Sequence, residues 1–252
     1  MYKRENWVKK QLEAGKTIKP MWSQSGSPTI VEAAVYAGWD VVLIDNEHGF
    51  AGLETTINLI RAVESAGGHV ILRVPWNDPV YLKRILDIGV QSLMIPMIGS
   101  KAEAEAAVAA CKYPPRGWRG YAAGVVRASG YGADPGYFKR ANDELLIIGQ
   151  IEDIGAVGNI DEIAAVDGMD MLFIGPNDLA GSMDRLEKLD EPDVIEVVDG
   201  VADKILASGK MFGCFPIPSQ TDEKLEQKNC RLIARHCDVW MFRTAAAEAA
   251  QE

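Results

Sequence analysis

Histidine and paired cysteine are scarce. Among 252 residues there are three histidines (His48, His69, His236) and four cysteines (Cys111, Cys214, Cys230, Cys237), none of the cysteines in a CxxC pair. No zinc-ligand spacing and no disulfide framework can be assembled, so buried, reduced thiols are expected. Basic residues are outnumbered, 26 against 36 acidic, for a net charge of -10. That balance argues against nucleic acid or a membrane as partner, because both must be met with basic surface. Long apolar runs are missing too. The longest, around Leu145 to Ile151, falls far below the ~18 residues of a membrane span. The opening MYKRENWVKK carries charge without the apolar stretch of a leader, so a cytoplasmic protein is expected. Gly124, Gly130, Gly132 and Gly136 fit neither GxGxxG nor GxxxxGK, and a nucleotide loop has no support.

What the chain has is a core. Hydrophobic residues make up 48% and mean hydropathy is close to zero, which excludes disorder as the dominant state. Short apolar runs rich in Val, Ile and Leu begin near Thr17, Val41, His69, Ser92, Leu145, Met171, Met211 and Val239. Most starts lie roughly 23 to 28 residues apart, close to the ~30 of one βα unit. Runs apolar on both faces suit covered parallel strands, so eight of them predict a (β/α)8 TIM barrel. No linker interrupts the chain, and residues 1–252 read as one domain.

Helix ends are legible between the runs. Ser27-Pro28 starts a helix that Gly38 stops, Asn77-Asp78-Pro79 opens one that closes at Gly89, and AEAEAAVAAC is a strong helix former. The longest gap, from Pro96 to Leu145, contains YPPRGWRGYAAGVVRASGYGADPG. Its length and composition suggest a lid or a subunit contact, with a solvated loop as the plain alternative.

In parallel barrels, reactive side chains stand at the C-terminal strand ends. That rule selects Asp45, Glu47 and His48 after VVLI, Arg73 at the end of VILR, Gln150 and Glu152 in LLIIGQIE, and Asp178 in MLFIGPND. Glu152 and Asp178 lie about one βα unit apart, which puts two carboxylates on adjacent strands. Such a pair suits Mg²⁺ or Mn²⁺, with a salt bridge or solvated rim as the alternative. His48 brings an imidazole, the side chain suited in general to proton transfer near neutrality, or else is a hydrogen-bonded structural histidine. Arg73 has the fork for a carboxylate or an oxyanion, or else pairs with Asp45. Trp22, at the end of the first run, fits a pocket wall or the core.

The ordered set LIDNEHG, LRVPWNDP, ILDIG, MIPM, YPPRGWRG, QIED and FIGPNDLA resembles the HpcH/HpaI family of metal-dependent pyruvate aldolases. That family includes 4-hydroxy-2-oxoheptanedioate and 2-keto-3-deoxyglucarate aldolases. The resemblance runs collinearly from about Trp22 to Asp184. It implies a (β/α)8 barrel whose last helix packs on a neighbouring subunit of a homo-oligomer, a hexamer or trimer. It also implies Glu152 and Asp178 as metal ligands, with Glu47 touching a metal-bound water. The metal would be Mg²⁺ or Mn²⁺, with Co²⁺ a further candidate. By the same resemblance His48 is the base, Asp45 belongs to the catalytic set, and Asp87 of ILDIG orients His48, from an adjacent subunit if not from its own. Arg73 holds pyruvate and its enolate, and Gln150, Gly175 and Trp22 line the pyruvate pocket.

The reaction so implied is reversible cleavage of a 4-hydroxy-2-oxo acid, such as a 2-keto-3-deoxy sugar acid, to pyruvate and an aldehyde. The metal would stabilise the enolate as a Lewis acid, with no lysine required. Oxaloacetate decarboxylation or another metal-enolate lyase reaction is the alternative. A non-catalytic barrel that binds a 2-oxo acid is a third reading. Two features differ from the commoner family pattern: Asn46 and Gly49 flank Glu47-His48, and VWMFRTAA stands where a glycine-rich turn with an acidic residue is usual. Arg119 and Arg127 are candidates for a distal substrate carboxylate. Arg243, placed at the end of an eighth strand, is a candidate for choosing a charged or polyhydroxylated aldehyde, against a surface ion pair with Asp238 or Glu248.

Overall fold

The structure, a computed structural model, describes residues 5–251. The first four residues of the N-terminal stretch discussed above, and Glu252, lie outside them. Helix α1 (Trp7–Glu13) leads into β1 (Met21–Ser23), α2 (Pro28–Tyr36), β2 (Val41–Asp45), α3 (Leu53–Ser65), β3 (His69–Arg73), α4 (Pro79–Ile88) and β4 (Ser92–Ile95). Then come α5 (Lys101–Cys111), α6 (Tyr137–Ala141), β5 (Leu146–Ile151), α7 (Ile160–Ala164), β6 (Met171–Ile174), α8 (Pro176–Ser182), α9 (Pro192–Ala207) and β7 (Met211–Cys214). The chain finishes with α10 (Asp222–Gln227), β8 (Cys230–Ile233), β9 (His236–Cys237) and α11 (Asp238–Ala249).

The local rules act where they were read. Ser27 accepts the Ile30 N–H and Pro28 takes the first turn of α2. Asp78 accepts the Tyr81 N–H at 2.7 Å, and Gly89 ends α4 at φ 106°, a left-handed conformation that glycine adopts without a Cβ penalty.

All neighbouring strands are parallel, in the order β8-β7-β6-β5-β4-β3-β2-β1-β9, and the curled sheet is TIM-barrel-like. Its side chains alternate as the two apolar faces require. Val41, Leu43, Ile71, Met94, Ile148 and Phe173 pack inside the curl, where Val8 and Leu12 of α1 join them. Val42, Ile44, Leu72, Leu93, Ile147 and Leu172 face the helices. Two stacked apolar layers therefore fix which strand ends converge on one mouth.

The eighth strand corrects the sequence reading. Strand pairing falls on Cys230–Ile233, against β7, and on His236–Cys237, against β1. An isolated bridge joins Ile18 to Leu232, with the Ile18 N–H donating to Arg231 O at 2.8 Å. VWMF opens α11 instead. Asp238 begins that helix, and the alanine-rich TAAAEA continues it.

An acidic residue, Asp238, directly precedes VWMFRTAA. It is buried, and it accepts the Gln24 N–H at 3.0 Å, the Ser25 N–H at 3.2 Å and the Ser23 and Ser25 hydroxyls at 3.0 and 2.6 Å. Burial alone would raise its carboxyl. The hydrogen bonds from Ser25, Gln24 and Ser23 outweigh that and hold it below the usual carboxylate range.

Arg243 therefore lies on the exposed surface of α11 and not at a strand end. The α5-to-β5 connection, which carries the Gly/Pro/aromatic segment, returns from a helix to the N-terminal end of a strand. It cannot form a lid over this chain's own C-terminal mouth. All four cysteines are free and buried. Among the described residues no helix is long and apolar enough to cross a membrane.

Candidate active site

At the C-terminal ends of the strands lies a cavity of about 290 Å³ whose lining includes Trp22, His48, Arg73, Gln150, Glu152, Gly175 and Asp178. Seven residues selected from strand ends and motifs thus share one space. Gln24, Phe173, Pro176, Asn177, Phe215, Cys237 and Trp240 complete it. The strand-end rule could have found Gln24 and Phe215, which follow β1 and β7. Cys237 and Trp240 were hidden by the misplaced eighth strand.

Asp45 is the anchor beneath this cavity. Fully buried, it takes the Arg73 Nε and Nη2 donors at 2.9 and 2.7 Å, the Trp22 Nε1–H at 3.0 Å and the Gln24 Nε2–H at 3.2 Å. Its other duty is to the turn that follows, where it accepts the Glu47 and His48 backbone N–H groups at 3.0 and 3.3 Å. Burial would raise this carboxyl, but Arg73 chiefly, with Trp22 and Gln24, holds it below the ordinary range. It stays ionised near neutrality and locks the Arg73 fork.

Arg73 has further contacts. Its guanidinium lies over the Trp22 ring, 4.6 Å from the centroid, and its Nη1 is 2.9 Å from Glu47 Oε2. That contact lies outside hydrogen-bond geometry, so the Glu47 oxygen is ion-paired without being hydrogen-bonded. The ion pair foreseen between Arg73 and Asp45 is present, and the same guanidinium lines the cavity.

Glu152, 3% exposed, accepts the Met97 N–H at 3.0 Å and the Gln150 Nε2–H at 2.8 Å. Met97 reaches it from a left-handed backbone, φ 55°. Burial and the negative charges of Glu47 and Asp178 push the Glu152 carboxyl up to about 7, against the opposing pull of Met97 and Arg73. Glu47 is raised as well, by burial first and then by Asp45 and Asp178, despite Arg73 and His48.

Gly175 makes room for this carboxylate. A Cβ there would stand 2.7 Å from Glu152 Cγ and 2.9 Å from Cδ. Asp178 sits in the first turn of α8, exposed, with no ion pair among the described residues. The His48 ring is exposed at the rim and has no hydrogen bond among them either.

Among the described residues no group of three or more His, Cys, Asp or Glu side chains is arranged to hold a metal ion. A cation of the Mg²⁺ type needs less than that from the protein. One or two carboxylates suffice when substrate and water supply the other oxygens. Mutually repelling carboxylates, the space left at Gly175 and the buried, unpaired Gln150 Oε1 all fit a cation placed between Glu152 and Asp178.

Other candidates lie elsewhere. Asp87, near the end of α4, accepts from Arg119 Nη2 at 2.8 Å. Helix α4 starts beside the C-terminal end of β3 and returns to the N-terminal end of β4, so Asp87 stands at the opposite end of the sheet from His48. Arg119 is buried and lies over the Tyr113 ring at 4.3 Å. Arg127 pairs with Glu64 Oε2 at 2.6 Å and donates to Ile88 O at 2.9 Å. Neither Arg119, Arg127 nor Arg243 lines this chain's cavity, because loops after helices emerge on the far face and α11 turns Arg243 outward.

Comparison with known proteins agrees with the geometry. Residues 19–243 match the HpcH/HpaI aldolase/citrate lyase family. The chain is 35% identical to a hydroxypyruvate/pyruvate aldolase of Agrobacterium fabrum over 94% of its length and 90% of the relative's. It is 34% identical to a 4-hydroxy-2-oxo-heptane-1,7-dioate aldolase of Salmonella dublin, over 98% and 92%. An HpcH/HpaI aldolase/citrate lyase family protein from Burkholderia cenocepacia superimposes with a TM-score of 0.92 at 32% identity, covering 98% of both chains. The chain belongs to the HpcH/HpaI aldolase/citrate lyase family.

Proposed function

We propose that this protein is a metal-dependent pyruvate aldolase, which reversibly cleaves a 4-hydroxy-2-oxo acid to pyruvate and an aldehyde. The observation that carries the reading is the convergence of Arg73, Gln150, Glu152, Asp178 and His48 on one cavity in a chain of this family. The family is generally dependent on a divalent metal. Glu152 and Asp178 would hold that ion, Mg²⁺ or Mn²⁺, with Glu47 near one of its waters. When bound, it supplies Lewis acidity at the 2-oxo and carboxylate oxygens of the substrate.

The chain's own groups do the rest. Breaking the C3–C4 bond leaves an electron pair at C3 that spreads onto the C2 oxygen. Arg73, with its fork fixed by Asp45, turns its remaining Nη protons and its charge toward that oxygen. His48 takes the C4 hydroxyl proton as the C4 carbonyl forms, and a proton returned to C3 completes pyruvate. Trp22 walls the pocket, Gly175 leaves the space that Glu152 occupies, and Gln150 fixes the Glu152 carboxylate.

Assembly enters through α11. Phe242 is 71% exposed, with Val239 and Met241 exposed beside it. Contiguous apolar surface of this kind marks a contact, and we assign it to a neighbouring copy in a homo-oligomer. Asp87 can meet a His48 only across a subunit boundary, because the two lie at opposite ends of one sheet. A chain that sediments as a monomer would contradict this arrangement.

Incubation with a panel of 4-hydroxy-2-oxo acids tests the activity. Pyruvate release is expected with added Mg²⁺ or Mn²⁺ and is expected to stop with EDTA. No pyruvate from any member of the panel would overturn the aldolase reading.

A further inference from the structure

The charged groups of the cavity, His48, Arg73, Glu152 and Asp178, are gathered on one side. Arg73 ends β3, Gln150 lies near the end of β5 with Glu152 just beyond it, and Asp178 lies in the first turn of α8 after β6. On the other side are β1, the residue after β7 and the start of α11, and that side carries no charge and is largely aromatic, with Gln24 and Cys237 as its polar groups. Trp22 and Phe215 meet edge to face, with centroids 6.3 Å apart and planes at 76°. Phe215 and Trp240 repeat the arrangement at 6.0 Å and 79°. Trp22 joins the halves, because its ring carries the Arg73 guanidinium and its edge faces Phe215.

We propose that the wall of Trp22, Phe215 and Trp240 selects an aldehyde with an apolar body as the partner of pyruvate, and disfavours one that ends in a carboxylate. This inference rests on the aldolase reading and adds the class of acceptor. With pyruvate held between Arg73 and the carboxylates, the aldehyde is left with the aromatic half. In the synthetic direction pyruvate C3 gives up a proton and bonds to the aldehyde carbon, whose oxygen takes up a proton. The rest of the aldehyde only packs.

Charge decides the sign of the selection. Among the described residues Arg73 is the only arginine or lysine lining the cavity, and Asp45 and Glu47 already occupy it. Cys237, the polar group nearest the wall in sequence, directs its thiol to Gln24 Oε1 at 3.2 Å. A second substrate carboxylate packed against these rings would lose its water and find no further arginine or lysine of this chain to replace it. An apolar chain loses nothing by the same move and gains contact with three rings. The cavity, about 290 Å³, sits at the lower end of the roughly 300–1,000 Å³ typical of small-molecule pockets. A short aldehyde fits that space.

The test compares aldol addition of pyruvate to 4-methylpentanal and to succinic semialdehyde. Both have the same chain, ended by an isopropyl group in one and a carboxylate in the other. The wild-type kcat/KM is expected to favour 4-methylpentanal by at least ~10-fold, the scale on which apolar pockets discriminate. That ratio is expected to fall toward one in Trp240→Ala, a largely exposed position where the fold has little to lose, and in Phe215→Ala. Equal or faster reaction with the semialdehyde overturns the inference, as does a ratio that both variants leave unchanged. Failure of the wild type to exchange the methyl protons of pyruvate with solvent overturns the aldolase reading and this inference with it. Exchange with the semialdehyde preferred overturns the inference alone.

Discussion

Glu152→Gln is expected to leave a protein as stable as the wild type, or more so, that has lost Mn²⁺ affinity and at least ~10³-fold in turnover, the several kcal/mol that a Lewis acid contributes. The two effects part because the carboxylate is costly to the fold and necessary to the cation. Buried, and close enough to Glu47 and Asp178 to feel their charges, its carboxyl is pushed up to about 7. A neutral amide removes that repulsion and the charge burial together. Its oxygen still accepts the Met97 N–H, and the Gln150 amide, whose Oε1 is buried without a partner, can turn to accept the new N–H. Urea unfolding and Mn²⁺ titration read the two effects separately. Unchanged Mn²⁺ affinity would remove Glu152 from the ligand set.

Arg73→Lys tests the second large effect. Lysine keeps the charge but not the fork, so it cannot serve both Asp45 oxygens and still reach a substrate oxygen. Turnover is expected to fall by ~10²–10³-fold, the usual cost of one lost donor to a developing oxyanion. Stability is expected to fall as well, by roughly 2–3 kcal/mol, because Asp45 stays buried with poorer pairing. Steady-state kinetics beside urea unfolding measures both. Turnover within a few-fold of the wild type would show that Arg73 serves Asp45 and not the reaction.

Much of this architecture is legible in the residues because the strands obey a local rule. The runs predicted to start at Val41, His69, Ser92 and Met171 become strands starting at those residues, and capping at Ser27, Asp78 and Gly89 follows from side-chain chemistry within four residues. The eighth strand breaks the rule. CRLI is short and interrupted by a charged residue, whereas VWMF is the denser apolar run. What decides between them is long-range pairing with β7 and β1 and the buried Asp238, none of it visible in local pattern.

The cavity was legible for the same reason as the strands. A parallel sheet sends every C-terminal end to one mouth, so Arg73, Gln150, Glu152 and Asp178 had to converge. Its aromatic wall was legible only in part: Phe215 follows β7 where the strand-end rule looks, but Trp240 was hidden because VWMF reads as a strand and in fact opens α11. The long segment from Tyr113 to Gly136 misleads in the opposite way. Its composition suggests a lid, but a connection that follows a helix emerges at the wrong end of the sheet to cover its own site.

Exchange of the pyruvate methyl protons in D₂O, followed by proton NMR without any aldehyde, tests the central claim most directly. It reads enolate formation alone and does not depend on which acceptor the cavity takes. With Mg²⁺ or Mn²⁺ the wild type is expected to exchange these protons, to stop on chelation, and to slow by at least ~10²-fold in His48→Ala, the low end for a positioned acid-base group. Exchange that continues at full rate after complete chelation would contradict a metal-dependent enolate at this site.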